Sequence, residues 1–237
     1  FNENSFIVFE RSAGTTGTGD LISLKEVKLF EREASGIRTL NTLSNPIGQF
    51  MYDTETQTAY FYDGKTHRIF RIQSQNGGWL APQSVNIERI GAAAITGLTI
   101  DPTTHALRIL DASHSQIVQL AADQFADSPK EPVLSRKTVS GVNLNKVKGV
   151  TINPVTNRIF LVTSKPDLLI ELSATGQVSR LWSLASLGIH NAAGLVFSPT
   201  GDPTDDPEKL AVNILDAGTA DNSASGNGSR ILEVSLE

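Results

Sequence analysis

The sequence predicts an all-β protein of the β-propeller class, built from four-stranded antiparallel blades. Three stretches share one pattern, in which an Asp or Asn starts a turn rich in Thr or Pro and an apolar run follows; they are 53–63, 101–111 and 153–163. The turn-starting residues Asp53, Asp101, Asn153 and Ser198 stand 48, 52 and 45 residues apart. A repeat of roughly 40 to 50 residues made of short strands is typical of propeller blades, which bury their faces against one another.

Five repeat units are expected in one domain, with bounds of about 1–45, 46–92, 93–140, 146–187 and 190–237. Each complete unit continues past its hairpin into a third apolar strand, which ends at Ile72, Leu120 or Leu172. The fourth strand is shorter and less regular, as expected for the exposed edge of a blade. Short helical turns are expected at 118–125 and 183–187.

The two terminal units are each one strand short. Residues 1–45 offer the second to fourth strands of a blade, and residues 190–237 offer the first to third. A closed propeller usually completes its last blade with a strand from the other terminus, since an open end leaves unpaired strand edges. These ends do not combine in that way. We therefore expect the 237 residues to be part of a longer chain, or to form an unusual five-unit ring.

Composition narrows the classes of function. The chain is 39% hydrophobic and 19% charged, and its net charge is −5, so it lacks the basic stripe that would bind nucleic acid. No apolar run approaches the roughly 18 residues that cross a bilayer, which predicts a soluble chain without a transmembrane segment. The absence of cysteine excludes disulfides, thiol nucleophiles and cysteine-ligated zinc.

One column of polar residues closes the second strand of each unit. In a propeller these strand ends share a face near the central channel, where carboxylates from several blades could bind a metal or a polar ligand. The alternative is that each side chain accepts hydrogen bonds from the backbone of the turn that follows it. The column consists of Glu10, Asp63, Asp111, Thr163 and Asp216.

A second column starts the turn between the first and second strands. It consists of Asp53, Asp101, Asn153 and Ser198, which are followed by Thr or Pro in the order that turns favour. We expect a structural role for these residues.

Four carboxylates lie within seven residues of the last unit, at Asp202, Asp205, Asp206 and Glu208. Calcium prefers several oxygen ligands from a turn-rich loop, so this acidic insertion is a candidate calcium site, with a solvated acidic loop as the alternative. His67 and His114 follow Asp63 and Asp111 by four and three residues, and they could bind a ligand on the same face. No catalytic constellation is assigned, since the sequence contains no Gly-x-Ser-x-Gly elbow.

The strings 148–154, 157–164, 169–176 and 193–199 resemble NHL-type bacterial propeller repeats, and most closely the group called SdiA-regulated or phytase-like. The resemblance covers residues 46–237. It implies a propeller fold, but the families concerned include calcium-dependent phosphatases, lactonases and binding modules. In lactonases an Asn that binds the metal precedes the Gly at the position of Gly194; this chain has Ala193 there, which weighs against a lactonase.

Two functions are therefore carried forward. The first is a non-catalytic interaction or structural module of an exported or cell-surface bacterial protein, with a protein or glycan partner. The second is a calcium-dependent hydrolase of phosphoesters or lactones that uses the aspartates of the channel face. Convergence of Asp63, Asp111 and Asp216 on a metal would favour the hydrolase, and bonding of each to its own turn would favour the module.

Overall fold

The computed structural model describes residues 5–12, 21–30, 33–43, 47–75, 78–121, 125, 133–200, 204, 206, 209–218 and 229–236; side-chain surroundings are described from residue 49 onward, except at 78, 79, 133 and 134. The described chain is all-β, and its antiparallel sheets follow one another in sequence order as the blades of a β-propeller. The predicted fold class is confirmed. Contacts divide the chain into two compact units, Phe1–Glu88 and Arg89–Glu237.

The first unit contains two sheets. Its first sheet has the order β1-β2-β3, with β1 at Ser5–Ser12, β2 at Leu21–Phe30 and β3 at Glu33–Leu43. Its second sheet joins β4 (Ile47–Asp53), β5 (Thr58–Asp63) and β6 (Arg68–Gln75). Two short segments, β7 (Gly78–Trp79) and β8 (Gln83–Asn86), then pair with different parts of β6. The irregular outer strand expected for this blade is thus divided in two.

The second unit contains three sheets. The sheet of the third repeat comprises β9 (Ile95–Ile100), β10 (Leu107–Asp111), β11 (Gln116–Leu120) and β12 (Val133–Thr138). The next comprises β13 (Val147–Ile152), β14 (Ile159–Thr163), β15 (Leu168–Leu172) and β16 (Val178–Ser183). The last has three strands, β17 (Ala192–Pro199), β18 (Leu210–Asp216) and β19 (Arg230–Val234).

Short 3-10 turns join several of these strands, at Ile87–Ile90, Leu144–Lys146 and Ala185–Leu187. The last of them lies within the turn expected at 183–187. The helical turn expected at 118–125 is wrong over its first residues, because Val118 and Leu120 belong to β11 and pair with Ile109 and Leu107 of β10. A run of three residues is too short for periodicity to separate strand from helix, and the long-range pairing decides.

Strand β14 shows why the inner strands are continuously apolar. Ile159 and Leu161 pack into a core shared with the third blade, whereas Phe160 and Val162 pack into a core shared with the last blade. Successive side chains of a strand point to opposite faces, so a strand between two neighbouring blades is buried on both. All five residues of β14 are buried accordingly.

The first strands of neighbouring blades in the second unit approach one another through glycine. A Cβ added at Gly97 of β9 would lie 2.6 Å from Cγ1 of Val150 on β13. A Cβ added at Gly149 of β13 would lie 2.9 Å from Cα of Gly194 on β17. These approaches are closer than any side chain allows, so the packing of the first strands depends on the absence of a Cβ at these positions.

A β-bulge recurs next to these glycines. In β9, β13 and β17 the residue before the glycine has no partner on the second strand, and β4 has a bulge at the same place in its repeat. The bulged residues are Gly48, Thr96, Lys148 and Ala193. Bulges of this kind bend a strand and redirect a side chain. Ala193 stands at the position where lactonases have a metal ligand. It is thus a bulged residue whose side chain has no atom that could bind a metal.

Candidate functional site

The turns that begin at Asp53, Asp101 and Asn153 share one hydrogen-bond pattern. In each, Oδ1 of the first residue accepts from the backbone N–H groups two and three positions later, at 2.9 to 3.3 Å. This is the Asx turn that short polar side chains form locally. Ser198 differs, since its hydroxyl accepts from Asn213 Nδ2 at 2.7 Å. The structural role predicted for the first three residues is confirmed.

The same turns place a non-glycine residue in the left-handed region four positions after the first residue. Gln57, His105 and Asn157 have φ between 52° and 55°, and His67 has φ of 54° in the turn that follows Asp63. Their backbone is therefore fixed by the turn, because only a few per cent of non-glycine residues adopt this conformation. His67 is exposed, and its role in the hairpin is that of a turn residue.

Asp111 of the strand-end column accepts hydrogen bonds on both carboxylate oxygens. Its Oδ1 accepts from the backbone N–H groups of Ala93, Ala94 and Ser113 at 3.1 to 3.3 Å. Its Oδ2 lies 2.6 Å from Nδ1 of His114 and accepts from Nε2 of Gln116 at 3.0 Å. The carboxylate is fully buried, and it ties the turn after β10 to the segment before β9.

The other members of the column bind their own blades in related ways. Asp63 accepts from the backbone of Lys65 at 2.9 Å and from Thr66 Oγ1 at 2.6 Å. Asp216 accepts from the backbone N–H groups of Gly218 and Asn191, both at 3.1 Å. Thr163 donates to the carbonyl of Pro166 at 2.8 Å. The side chain of Glu10 lies outside the described residues.

These contacts shift the acidity of the buried aspartates. Burial raises the pKa of Asp111, but the hydrogen bonds from Gln116, His114, Ala94 and Ala93 outweigh it, so the pKa lies below the ordinary value. Burial likewise raises the pKa of Asp216, and the donors Gly218, Asn191 and Arg230 outweigh it. The carboxylates are thus held ionised by the fold itself.

The structure brings Asp111 and His114 together and leaves the other predicted ligands with different partners. Arg230 Nε lies 3.4 Å from Asp216, and a threonine hydroxyl contacts Asp63. Within the residues that the structure describes, no group of three His, Asp or Glu side chains could hold a metal ion. Ligand binding by Asp63, Asp111, Asp216, His67 and His114 stays a prediction.

The acidic insertion is only partly described. Asp202, Asp205 and Glu208 lie outside the described residues, while Asp206 is exposed and its carbonyl accepts from the backbone of Lys209 at 2.8 Å. A calcium site in this loop therefore also stays a prediction. Within the described parts of the chain, no helix has the length and apolar character to cross a membrane.

One feature that the sequence did not reveal is a basic cavity between the third and fourth blades. It has a volume of about 340 Å³, and its lining contains three cations and no acidic residue. We call this the basic cavity; its lining residues are Arg108, Lys137, Thr156, Asn157, Arg158, Ser173, Ala174 and Ser179. Spread over more than 70 positions, these residues form no local motif that a reading of the sequence could find.

No family model matches the chain, and no curated protein matches its sequence. Solved structures do match. The nidogen/laminin complex has a TM-score of 0.60 at 15% identity, over 90% of this chain and 71% of the matched one. Luciferin-regenerating enzyme has a TM-score of 0.58 at 10% identity, over 98% and 78%. The major Malassezia sympodialis allergen Mala s 1 has a TM-score of 0.56 at 13% identity, over 98% and 74%. At such identities the similarity shows the β-propeller fold alone.

Proposed function

We propose that this chain is a non-catalytic β-propeller that serves as an interaction or structural module of an exported or cell-surface bacterial protein. The observation that carries the proposal is the bonding of the strand-end aspartates. Oδ1 of Asp111 accepts from three backbone N–H groups of its own blade, and Oδ1 of Asp216 accepts from two. Oxygen atoms engaged in this way stabilise the blade and are poorly placed to bind a cation.

Three further points enter the same proposal. The repeats are of the NHL-type or SdiA-regulated group, whose propellers include plain binding modules. The partner is a protein or a glycan. One solved structure with this fold is that of a nidogen/laminin complex, which supports a protein partner. Fractionation of cells that produce the protein tests the compartment, and recovery of the chain in the cytoplasmic fraction would contradict export.

The competing hypothesis is a calcium-dependent hydrolase of phosphoesters or lactones. It requires the carboxylates of Asp63, Asp111 and Asp216 to turn from their own blades toward a shared ion. For Asp111 this would break its bonds from the backbone N–H groups of Ala93 and Ala94, each of which contributes about 0.5–1.5 kcal/mol. That cost favours the module.

Calcium titration by calorimetry on the metal-stripped protein separates the two functions. We expect no heat of binding, and no rise in melting temperature with calcium, because a ligand that does not bind the folded state cannot stabilise it. Tight binding that disappears in Asp111→Asn and Asp216→Asn, together with hydrolysis of a phosphoester or a lactone, would overturn the proposal. Asp206→Asn is the matched control, since it removes a carboxylate from the acidic insertion and leaves the column intact.

A further inference from the structure

The basic cavity stands out against the charge of the whole chain. The protein carries a net charge of −5, yet three of the eight residues that line this cavity are cations and none is acidic. Cavities lined by charge of one sign concentrate ligands of the opposite sign. The volume of about 340 Å³ falls at the lower end of the range for small-molecule sites.

Arg108 provides a fixed donor in this cavity. Its Nη2 donates to the buried carboxylate of Asp101 and to Oδ1 of Asn157, the latter at 3.2 Å. Asp101 itself accepts from two backbone N–H groups of its turn, so it holds the Arg108 guanidinium in a fixed position. The side chain of Arg108 is 13% exposed. Within the described part of the chain, the N–H groups on Nε and Nη1 of Arg108 have no acceptor.

Lys137 is the second donor, and no described residue bonds or pairs with its ammonium group. Lys137 lies on β12 beside Gly176 of the fourth blade. The carbonyl oxygen of Gly176 accepts from the backbone N–H of Ser140 at 3.1 Å, and a Cβ added at Gly176 would lie 3.1 Å from Cγ of Lys137. Lys137 is only partly buried, so its ammonium group is open to solvent and to an anion that enters the cavity.

Arg158 completes the cationic lining from the fourth blade. It pairs with the buried carboxylate of Glu171, which also lies 3.8 Å from Nε of Arg180. Counting the carboxylates of Asp101 and Glu171, the three cations of the lining leave one net positive charge, and Arg180, which lies outside the lining, adds a second beside Glu171. The four cations are Arg108, Lys137, Arg158 and Arg180.

We propose that the basic cavity binds a phosphate dianion, either free or as a phosphomonoester. The net positive charge of the lining, with Arg180 next to it, attracts that dianion, and guanidinium groups together with an ammonium are the donors that phosphate oxygens prefer. Thr156 adds a hydroxyl at the rim of the cavity. The site lies between two blades and uses none of the strand-end aspartates, so it is independent of the function proposed above.

The test is calorimetric titration with inorganic phosphate at low ionic strength, followed by glucose 6-phosphate. We expect saturable binding that Lys137→Met weakens by about tenfold, the loss typical of one charge-assisted hydrogen bond. Lys137 is chosen because its removal leaves no buried carboxylate unpaired, whereas loss of Arg108 would strand Asp101. Binding of both ligands indicates that the site accepts esters, and binding of phosphate alone indicates a site for the free anion; either result supports the proposal.

Lys148→Met is the matched control, because Lys148 is an exposed lysine on the bulge of β13 outside the cavity. It removes the same charge from the chain, and we expect less than about a twofold change in the phosphate Kd. An equal loss in both variants would mean general charge attraction and would overturn the proposal. So would the absence of saturable binding to the unmodified protein, or an equal response to sodium chloride at matched ionic strength.

Discussion

The buried aspartates Asp101 and Asp111 accept hydrogen bonds from backbone N–H groups. The carboxylate of Asp111 accepts three backbone N–H groups from two segments that are separated in sequence, and Asp101 accepts two from its own turn. Backbone N–H groups that are buried without an acceptor are rare in folded proteins, so each aspartate solves a local hydrogen-bonding problem of the hairpin. This hydrogen-bonding requirement is sufficient to explain why the same residue type recurs in the repeat.

Asp111→Asn tests this account at the level of one residue. The amide retains one oxygen for the backbone donors but presents an N–H group to Gln116 and His114, so we expect a loss of about 2 kcal/mol in the free energy of unfolding. Urea denaturation followed by circular dichroism measures it. Asp53→Asn is the control and should cost less than about 1 kcal/mol, because Asn153 forms the equivalent turn with an amide. Equal losses would contradict the account.

Among the structural elements, the first strands of neighbouring blades are the most tightly constrained. Gly149 and Gly194 occupy the same place in their repeats, but a Cβ at Gly149 would meet backbone atoms of β17 at 2.9 and 3.1 Å, whereas one at Gly194 would meet nothing within 4 Å. Backbone atoms of a paired strand cannot move aside as a flexible side chain can. The two glycines are therefore equivalent in sequence and different in packing.

Gly149→Ala and Gly194→Ala form a matched pair that tests this difference. We expect Gly149→Ala to lower the free energy of unfolding by about 1–3 kcal/mol, as overpacking does in other cores. Gly194→Ala should change it by less than about 0.5 kcal/mol. Urea denaturation of both variants provides the comparison, and a loss at Gly194 as large as that at Gly149 would show that the close approach is not what requires glycine.

The hairpins of this protein were predictable, and the bulges were not. The Asx turns at 53–57, 101–105 and 153–157 depend on residues within five positions, so the sequence shows their determinants directly. A bulge such as that at Lys148 depends on how β13 is aligned with β14, which involves residues 15 positions away. The mistaken helical turn at 118–125 has the same origin, since pairing with β10 made Val118 part of a strand.

At the scale of the whole molecule, the repeat period revealed the fold but not the basic cavity. The fold follows from a pattern that recurs every 45 to 52 residues. The cavity exists because Arg108 and Lys137 of one blade face Asn157 and Ser173 of the next, and nothing in the repeat distinguishes that junction. Sequence periodicity describes what the blades share, whereas a site of this kind arises where one junction departs from the others.

Acid stability is a further property of the whole chain. Asp101, Asp111 and Asp216 have pKa values below their ordinary ones, where burial is outweighed by hydrogen bonds and, for Asp101 and Asp216, by a nearby arginine. A carboxyl group of this kind contributes stability above its unfolded pKa of about 3.9 and loses that contribution as the pH falls through the lower, folded value. The unfolded state then binds more protons than the folded state.

We therefore expect the free energy of unfolding from these groups to stay constant between pH 7 and about pH 5, and to fall below about pH 4. Urea denaturation at intervals from pH 7 to pH 3 measures this dependence. Asp111→Asn should lose less stability over the same range, because one of the three carboxyl groups with a lowered pKa is gone. An acid loss in the variant as large as that of the unmodified protein would contradict the assignment.

The self-contained turns also bear on how such a chain can grow. The backbone N–H groups that close the turn at 153–157 find their acceptors within residues 153–158, so a duplicated gene segment carries the bonds that close its own hairpin. The bond from Ala192 N–H to Asp167, by contrast, joins two successive blades. Duplication therefore copies each hairpin together with the bonds that close its turn. The residues at each new junction between blades can then diverge and form a different surface.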